Sequence, residues 1–146
     1  MFFAALLLTC LSATAQDQVV STSLSTPFGG TLLVVGEQRM KRETPGPHPE
    51  SLDATARVGF SPGGIGLGAG YRRYVSGTFE RGLYARPGVE INTYMGHSTP
   101  YVFALLAHFG GKYTLDDGVV FDGHLGMALT NLGLLPSVDI RVGWVL

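Results

Sequence analysis

Through the C-terminal two-thirds of this 146-residue chain, apolar and polar residues alternate almost one for one, a pattern few folds accept. Successive side chains of an extended strand point to opposite faces, so alternation marks strands with one apolar and one polar face. At the C-terminus Val138, Ile140, Val142, Trp144 and Leu146 alternate with Asp139, Arg141 and Gly143. Upstream, Val119, Phe121, Leu125, Met127 and Leu129 oppose Asp122, His124, Gly126 and Thr130. Leu83, Ala85, Val89, Ile91 and Met95 likewise oppose Tyr84, Arg86, Glu90, Asn92 and Tyr94. Tyr101, Phe103, Leu105, Ala107 and Phe109 share a face, with His108 and Lys112 on the other; Ile65, Leu67, Ala69 and Tyr71 alternate with Gly66, Gly68, Gly70 and Arg72. Less regular segments at 55–61, 29–40 and 18–26 bring the set to about eight strands, and no segment carries a helical period.

Turn chemistry divides the strands. Pro27, Pro45, Pro47, Pro49, Pro62, Pro100 and Pro136 fall in or beside the expected connections, where a missing N–H costs no ladder bond. Pro87 sits mid-strand before Gly88 and predicts a bulge. Asp116-Asp117-Gly118 reads as a three-residue hairpin loop with Gly118 in the left-handed conformation. That loop sets Leu115 opposite Val119, Tyr113 opposite Phe121, and Lys112 opposite Asp122 as an opposite-charge pair, leaving His108 and His124 diagonal. The stretch from Arg39 to Asp53, with three prolines, reads as a flexible connection.

Met1 to Ala15 form an uncharged apolar block ending in Ala13-Thr14-Ala15, which reads as an export signal even though no Lys or Arg precedes it. Residues 16–146 are then one domain. Cys10, the only cysteine, lies inside the block, so the exported domain has no thiol and no disulfide. Lipidation at Cys10 ranks second, because Thr9 is larger than the residue such a site normally holds. Ten basic residues against eleven acidic ones leave no electrostatic footprint for nucleic acid.

Alternation alone does not say which face meets water. Only 14% of residues are charged, and the polar faces are rich in Gly, Tyr and Asn rather than Lys and Glu. Tyr101, Phe109, Tyr113 and Trp144 fall near strand ends, as membrane-interface aromatics do. Roughly sixteen residues per strand and turn fit spanning strands of about 9–11 residues. These features favour a transmembrane barrel with its apolar face outward. Its narrow interior would hold a polar network of Arg72, Arg86, Glu90, Lys112, Asp122, His108, His124, Asp139 and Arg141, a plug rather than a pore. Gly66, Gly68 and Gly70 would leave room for Tyr84, Arg86 and Tyr94 of a neighbouring strand.

Three catalytic or binding readings compete with this one and are weaker. His108, Asp122 and His124 supply metal-ligand and acid–base types, but no third imidazole or ligand-spaced motif joins them, so no metal and no cofactor are expected. His97-Ser98 pairs a base with a nucleophile, yet adjacent residues point apart, so no catalytic residue is assigned. The Gly63 to Gly70 run lacks the Gly-Lys-Ser/Thr ending of a phosphate loop.

Three segments carry a family resemblance: Gly70-Tyr71-Arg72-Arg73-Tyr74, the stretch Phe79 to Gly88, and the closing Val138 to Leu146. From Gly66 onward the chain resembles the small outer-membrane β-barrel proteins of Gram-negative bacteria. The resemblance implies an all-β, antiparallel up-and-down barrel in the outer membrane, in contact with outer-membrane lipid. It also implies recognition of the C-terminal strand by the barrel-insertion machinery, although Leu146 stands where an aromatic is usual. A periplasmic C-terminus would make Asp116 to Gly118 and Ser76 to Gly82 periplasmic turns and put Gly96 to Pro100 and Leu132 to Pro136 outside. Arg39 to Asp53 then also falls on the periplasmic side, against the usual placing of longer loops. The expected role is structural or surface-interacting, porin-like in build, monomeric and without catalysis. The rivals are a barrel enzyme acting on lipid A or phospholipid, and a soluble exported barrel with Leu105, Leu125 and Ile140 lining an apolar ligand cavity.

Overall fold

The computed structural model describes residues 17–24, 31–41, 47–60, 63–94 and 101–146. Eight antiparallel strands follow one another in chain order: β1 (Gln18–Ser23), β2 (Thr31–Arg39), β3 (Glu50–Phe60), β4 (Gly63–Gly77), β5 (Arg81–Tyr94), β6 (Tyr101–Thr114), β7 (Val119–Thr130) and β8 (Gly133–Val145). Each pairs with its sequence neighbour, and β1 also pairs with β8, closing an up-and-down barrel. Closure pairs the first and last strands over Val19–Ser23 and Arg141–Val145, covering there the edge that makes open sheets aggregate. No α-helix occurs among the described residues.

The registers fix the stagger. A circuit from Ser21 passes through Val35, Thr55, Gly68, Glu90, Ala104, Thr130 and Gly133, then returns to β1 ten positions beyond its start, since β1 and β8 pair Val19 with Val145. Such a shear tilts the strands by about 35–45° and leaves an interior that side chains can fill.

The facing follows the alternation. Trp144, Ile140, Leu125, Leu105 and Phe103 are exposed on the outer wall, while Arg141, Asp139, Asp122, Lys112, Arg86 and Arg72 are buried inside. Among the described residues, 29 large apolar side chains are exposed and 19 polar or charged residues are buried, against eight buried hydrophobic ones. The usual distribution of a water-soluble domain is therefore turned inside out.

The β6–β7 hairpin has the expected form. Gly118 takes φ of 87°, the Leu115 amide donates to the Val119 carbonyl at 2.7 Å, and Tyr113 faces Phe121, Lys112 faces Asp122 and His108 faces Gly126. This turn, the Thr78–Glu80 turn, the C-terminus and the ends of the β2–β3 connection share one rim: the Val145 amide donates to Gly118, the Thr114 amide to Glu80, and the Tyr74 amide to Pro49.

Four expectations need correction. Pro87 produces no bulge: β5 pairs with β6 in unbroken register from Arg81 to Thr93, and the register shift of the β4–β5 ladder lies between Tyr74 and Ser76. Pro136 is not in a connection but inside β8, opposite Met127, and the β7–β8 turn is only Asn131-Leu132. The segment ending at Asp53 is shorter than expected, because β3 begins at Glu50 and carries Ser51 and Asp53 into the barrel. The glycine face receives Arg86 at Gly70, whereas Asn92 fills the space at Gly66, Thr55 and Glu90 that at Gly68, and Tyr84 stands against Gly110. The expected export signal at 1–15, Pro27, Pro45, Pro62, Pro100, Met95, His97 and Ser98 lie outside the described residues.

Candidate functional site

The interior is organised around carboxylates that four cations share. Glu37 on β2 accepts hydrogen bonds from the Ser51 hydroxyl (2.6 Å), the Tyr74 hydroxyl (2.9 Å) and the Lys112 ammonium (3.0 Å), with the Arg72 guanidinium 3.4 Å away. Asp53 on β3 accepts from Arg72 Nε at 3.0 Å and from Arg86 Nε at 2.7 Å, and its second oxygen accepts from Arg86 NH2. Arg86 thus grips Asp53 with both arms of its fork, the geometry that guanidinium and carboxylate share best. Asp122 on β7 accepts from Arg72 NH1 and from the Tyr84 hydroxyl. Asp139 on β8 accepts from Arg141 Nε at 2.7 Å and from the Ser23 hydroxyl. Arg72 therefore bridges Glu37, Asp53 and Asp122, from three separate strands.

Four cations meet four carboxylates, so the buried cluster is neutral in sum. Isolated charges would be costly to desolvate here; shared and hydrogen-bonded, they cross-brace opposite walls of the barrel.

Toward the rim that holds the termini, an aromatic lid covers this cluster. Phe79, from the β4–β5 turn, is fully buried with Val19, Tyr74, Tyr84 and Val120. Tyr74 meets Phe79 and Tyr84 edge-on, at centroid distances of 6.0 and 5.7 Å. The Lys112 ammonium lies 3.5 Å from the Phe79 ring centroid, a cation–π contact within the barrel. Beside the lid, partial burial would raise the Glu80 carboxyl. Hydrogen bonds from Thr78 and its own backbone, with the Arg39 charge at 3.8 Å, outweigh burial and hold the group below the usual carboxylate range.

Of the nine interior residues expected from the sequence, eight lie in the central region. Glu90 does not: it pairs with Arg57 at 3.1 Å toward the opposite mouth. Lys112 and Asp122 face each other in the ladder, yet Lys112 turns to Glu37 and Asp122 to Arg72. His108 Nδ1 is 3.3 Å from Arg86 NH1, and the His108 and His124 rings lie 4.5 Å apart. Since Arg86 donates there, His108 Nδ1 is the acceptor. The described residues hold no group of three metal-ligating side chains.

Sequence reasoning missed Glu37, Asp53, Arg57 and the Phe79 lid. Glu37 follows Leu33 and Val35 on the same inward face, so no polar period announces it. Asp53 was concealed by the proline-rich connection before it.

The four aromatics expected at membrane interfaces are all exposed on the outer wall. Tyr113 and Trp144 stand near the rim of the termini and Tyr101 near the opposite one, but Phe109 lies four residues inward from Tyr113. Leu105, Leu125 and Ile140 also face outward, at 60%, 64% and 55% exposure, so they line no internal apolar cavity. No family model matches the chain, and no curated protein or solved structure matches it either.

Proposed function

We propose that this protein is an integral outer-membrane β-barrel with a plugged polar interior, serving a structural or surface-interaction role without catalysis. One observation carries the reading: large apolar side chains cover the outer wall while ionised ones are sealed within. Monomeric soluble proteins rarely expose apolar patches beyond a few hundred Å². A bilayer reverses the preference, because hydrocarbon solvates Leu, Val and Phe and has no water for an unpaired backbone. The closed β1–β8 seam meets that backbone demand along its described pairing, Val19–Ser23 against Arg141–Val145.

The plug is supported by the neutral cluster spanning the bore and by the aromatic lid beneath it. The partners of this reading are outer-membrane lipid and the insertion machinery, which would read the alternating β8 strand.

Fractionation tests it. The protein should appear in outer membranes, require detergent for extraction, and run faster unboiled than boiled on a denaturing gel. A detergent-free periplasmic monomer would overturn the proposal.

A further inference from the structure

We infer that the outer wall over β2 to β5 is a binding site for an anionic glycerophospholipid, with acyl chains in a groove and headgroup on Arg73. The inference rests on the membrane reading above.

A groove of about 980 Å³ crosses this part of the wall. Its floor comes from one ladder row, in which Gly36 faces Ala54 and Ala54 faces Ala69. Leu52, Leu67, Tyr71 and Val89 rise around it. Leu105 and Leu129 fill the same row on β6 and β7; a smaller outer-wall depression of about 600 Å³, at Gly111 and Gly123, lies beside Arg81, whose guanidinium is already held by Asp116. Four strands spaced about 4.8 Å apart give it a breadth of roughly 14 Å, room for two chains side by side. Such a volume is at the top of the range for ligand sites, about 300–1,000 Å³.

Arg73 stands two residues beyond Tyr71 on the same face, about 7 Å along β4 toward the rim of the termini. It is exposed and, among the described residues, makes no ion pair. Glu50, opposite it in the ladder, is buried. Among the described residues the other rim cations each have a carboxylate partner: Lys41 has Asp17, Arg39 has Asp17 and Glu80, and Arg81 has Asp116. An apolar groove ending in a guanidinium that has no ion pair among the described residues fits an amphiphile with an anionic head, and guanidinium matches phosphate oxygens in a two-point grip. A second copy of the chain fits worse. Twofold pairing about the membrane normal would place two Arg73 side chains at the same height, against each other.

The test is native mass spectrometry of the full-length barrel released from bilayers of phosphatidylglycerol and phosphatidylcholine in equal amounts. Wild type should retain phosphatidylglycerol about tenfold more than phosphatidylcholine. Arg73→Gln should abolish the preference while retaining some of each lipid, and the double variant Ala54→Leu with Ala69→Leu should lose retention of both. The unboiled fast-migrating band reports that each variant is folded. Equal retention by wild type, an unchanged preference in Arg73→Gln, or a dimer in place of bound lipid would overturn the site and leave the membrane reading standing. A protein that stays soluble without detergent would overturn both.

Discussion

Asp53 shows how much depends on single residues in this interior. It holds Arg86 through both oxygens and Arg72 through one, with its side chain fully buried. Removing one partner of a buried ion pair leaves an uncompensated charge, at a cost of about 3–5 kcal/mol. Asp53→Asn should therefore lose about that much in equilibrium urea unfolding from lipid vesicles. Glu90→Gln makes the control, because its partner Arg57 is about one-third exposed, and it should cost under about 1 kcal/mol. Equal losses in the two variants would contradict the cross-bracing assigned to Asp53. The cations Arg72, Arg86, Lys112 and Arg141 were legible because each sits in an alternating segment whose parity is unambiguous. Asp53 was not, since three nearby prolines outweighed a strand signal that begins only at Glu50.

At the level of elements, local chemistry was readable where it alone decides the geometry. The β6–β7 hairpin follows from loop length and face parity, and Gly118 supplies its left-handed residue. A Cβ at Gly118 would meet nothing within 4 Å, so Gly118→Ala isolates the conformational cost. It should lower stability by about 1 kcal/mol in the same unfolding assay. Gly126→Ala should cost more than that, because its Cβ would sit 2.1 Å from the Ala107 carbonyl oxygen. The reverse order would contradict the packing described for β6 and β7. Proline positions misled because a missing N–H matters only where a neighbour needs it. The described pairing of β1 with β8 ends with Ser23 opposite Arg141, short of Pro136. Beside Pro87, the β4–β5 ladder passes directly from the Gly70–Gly88 pair to the Arg73–Ala85 pair. Pro87 is thus absorbed inside a strand where the β4–β5 ladder is interrupted.

For the whole molecule, the deciding property is the direction of the two faces, which alternation leaves open. Low charge content and the makeup of the polar faces pointed outward for Leu125 and Trp144, and their exposure has that direction. The charges of the outer surface also fall to one side: Arg39, Lys41, Arg73, Glu80, Arg81, Asp116 and Asp117 gather at the rim of the termini. The sequences of the opposite connections, 25–30, 61–62, 95–100 and 131–132, contain no Asp, Glu, Lys or Arg. If hydrocarbon surrounds the wall, the penalty for a charge depends on depth. Leu125→Arg, midway along β7, should cost about 2–4 kcal/mol, and Tyr113→Arg, near the rim, about 0–1. In a barrel surrounded by water both changes would fall within about 0.5 kcal/mol.

Trp144 is the only tryptophan and is 56% exposed on the outer wall near the rim of the termini, which makes it a natural reporter. With the protein folded into vesicles, its emission should be blue-shifted and shielded from aqueous iodide. Lipids brominated on their acyl chains should quench it, most strongly when the bromines lie near the headgroup. Emission that ignores brominated lipid and is freely quenched by iodide would contradict an outer wall that faces acyl chains.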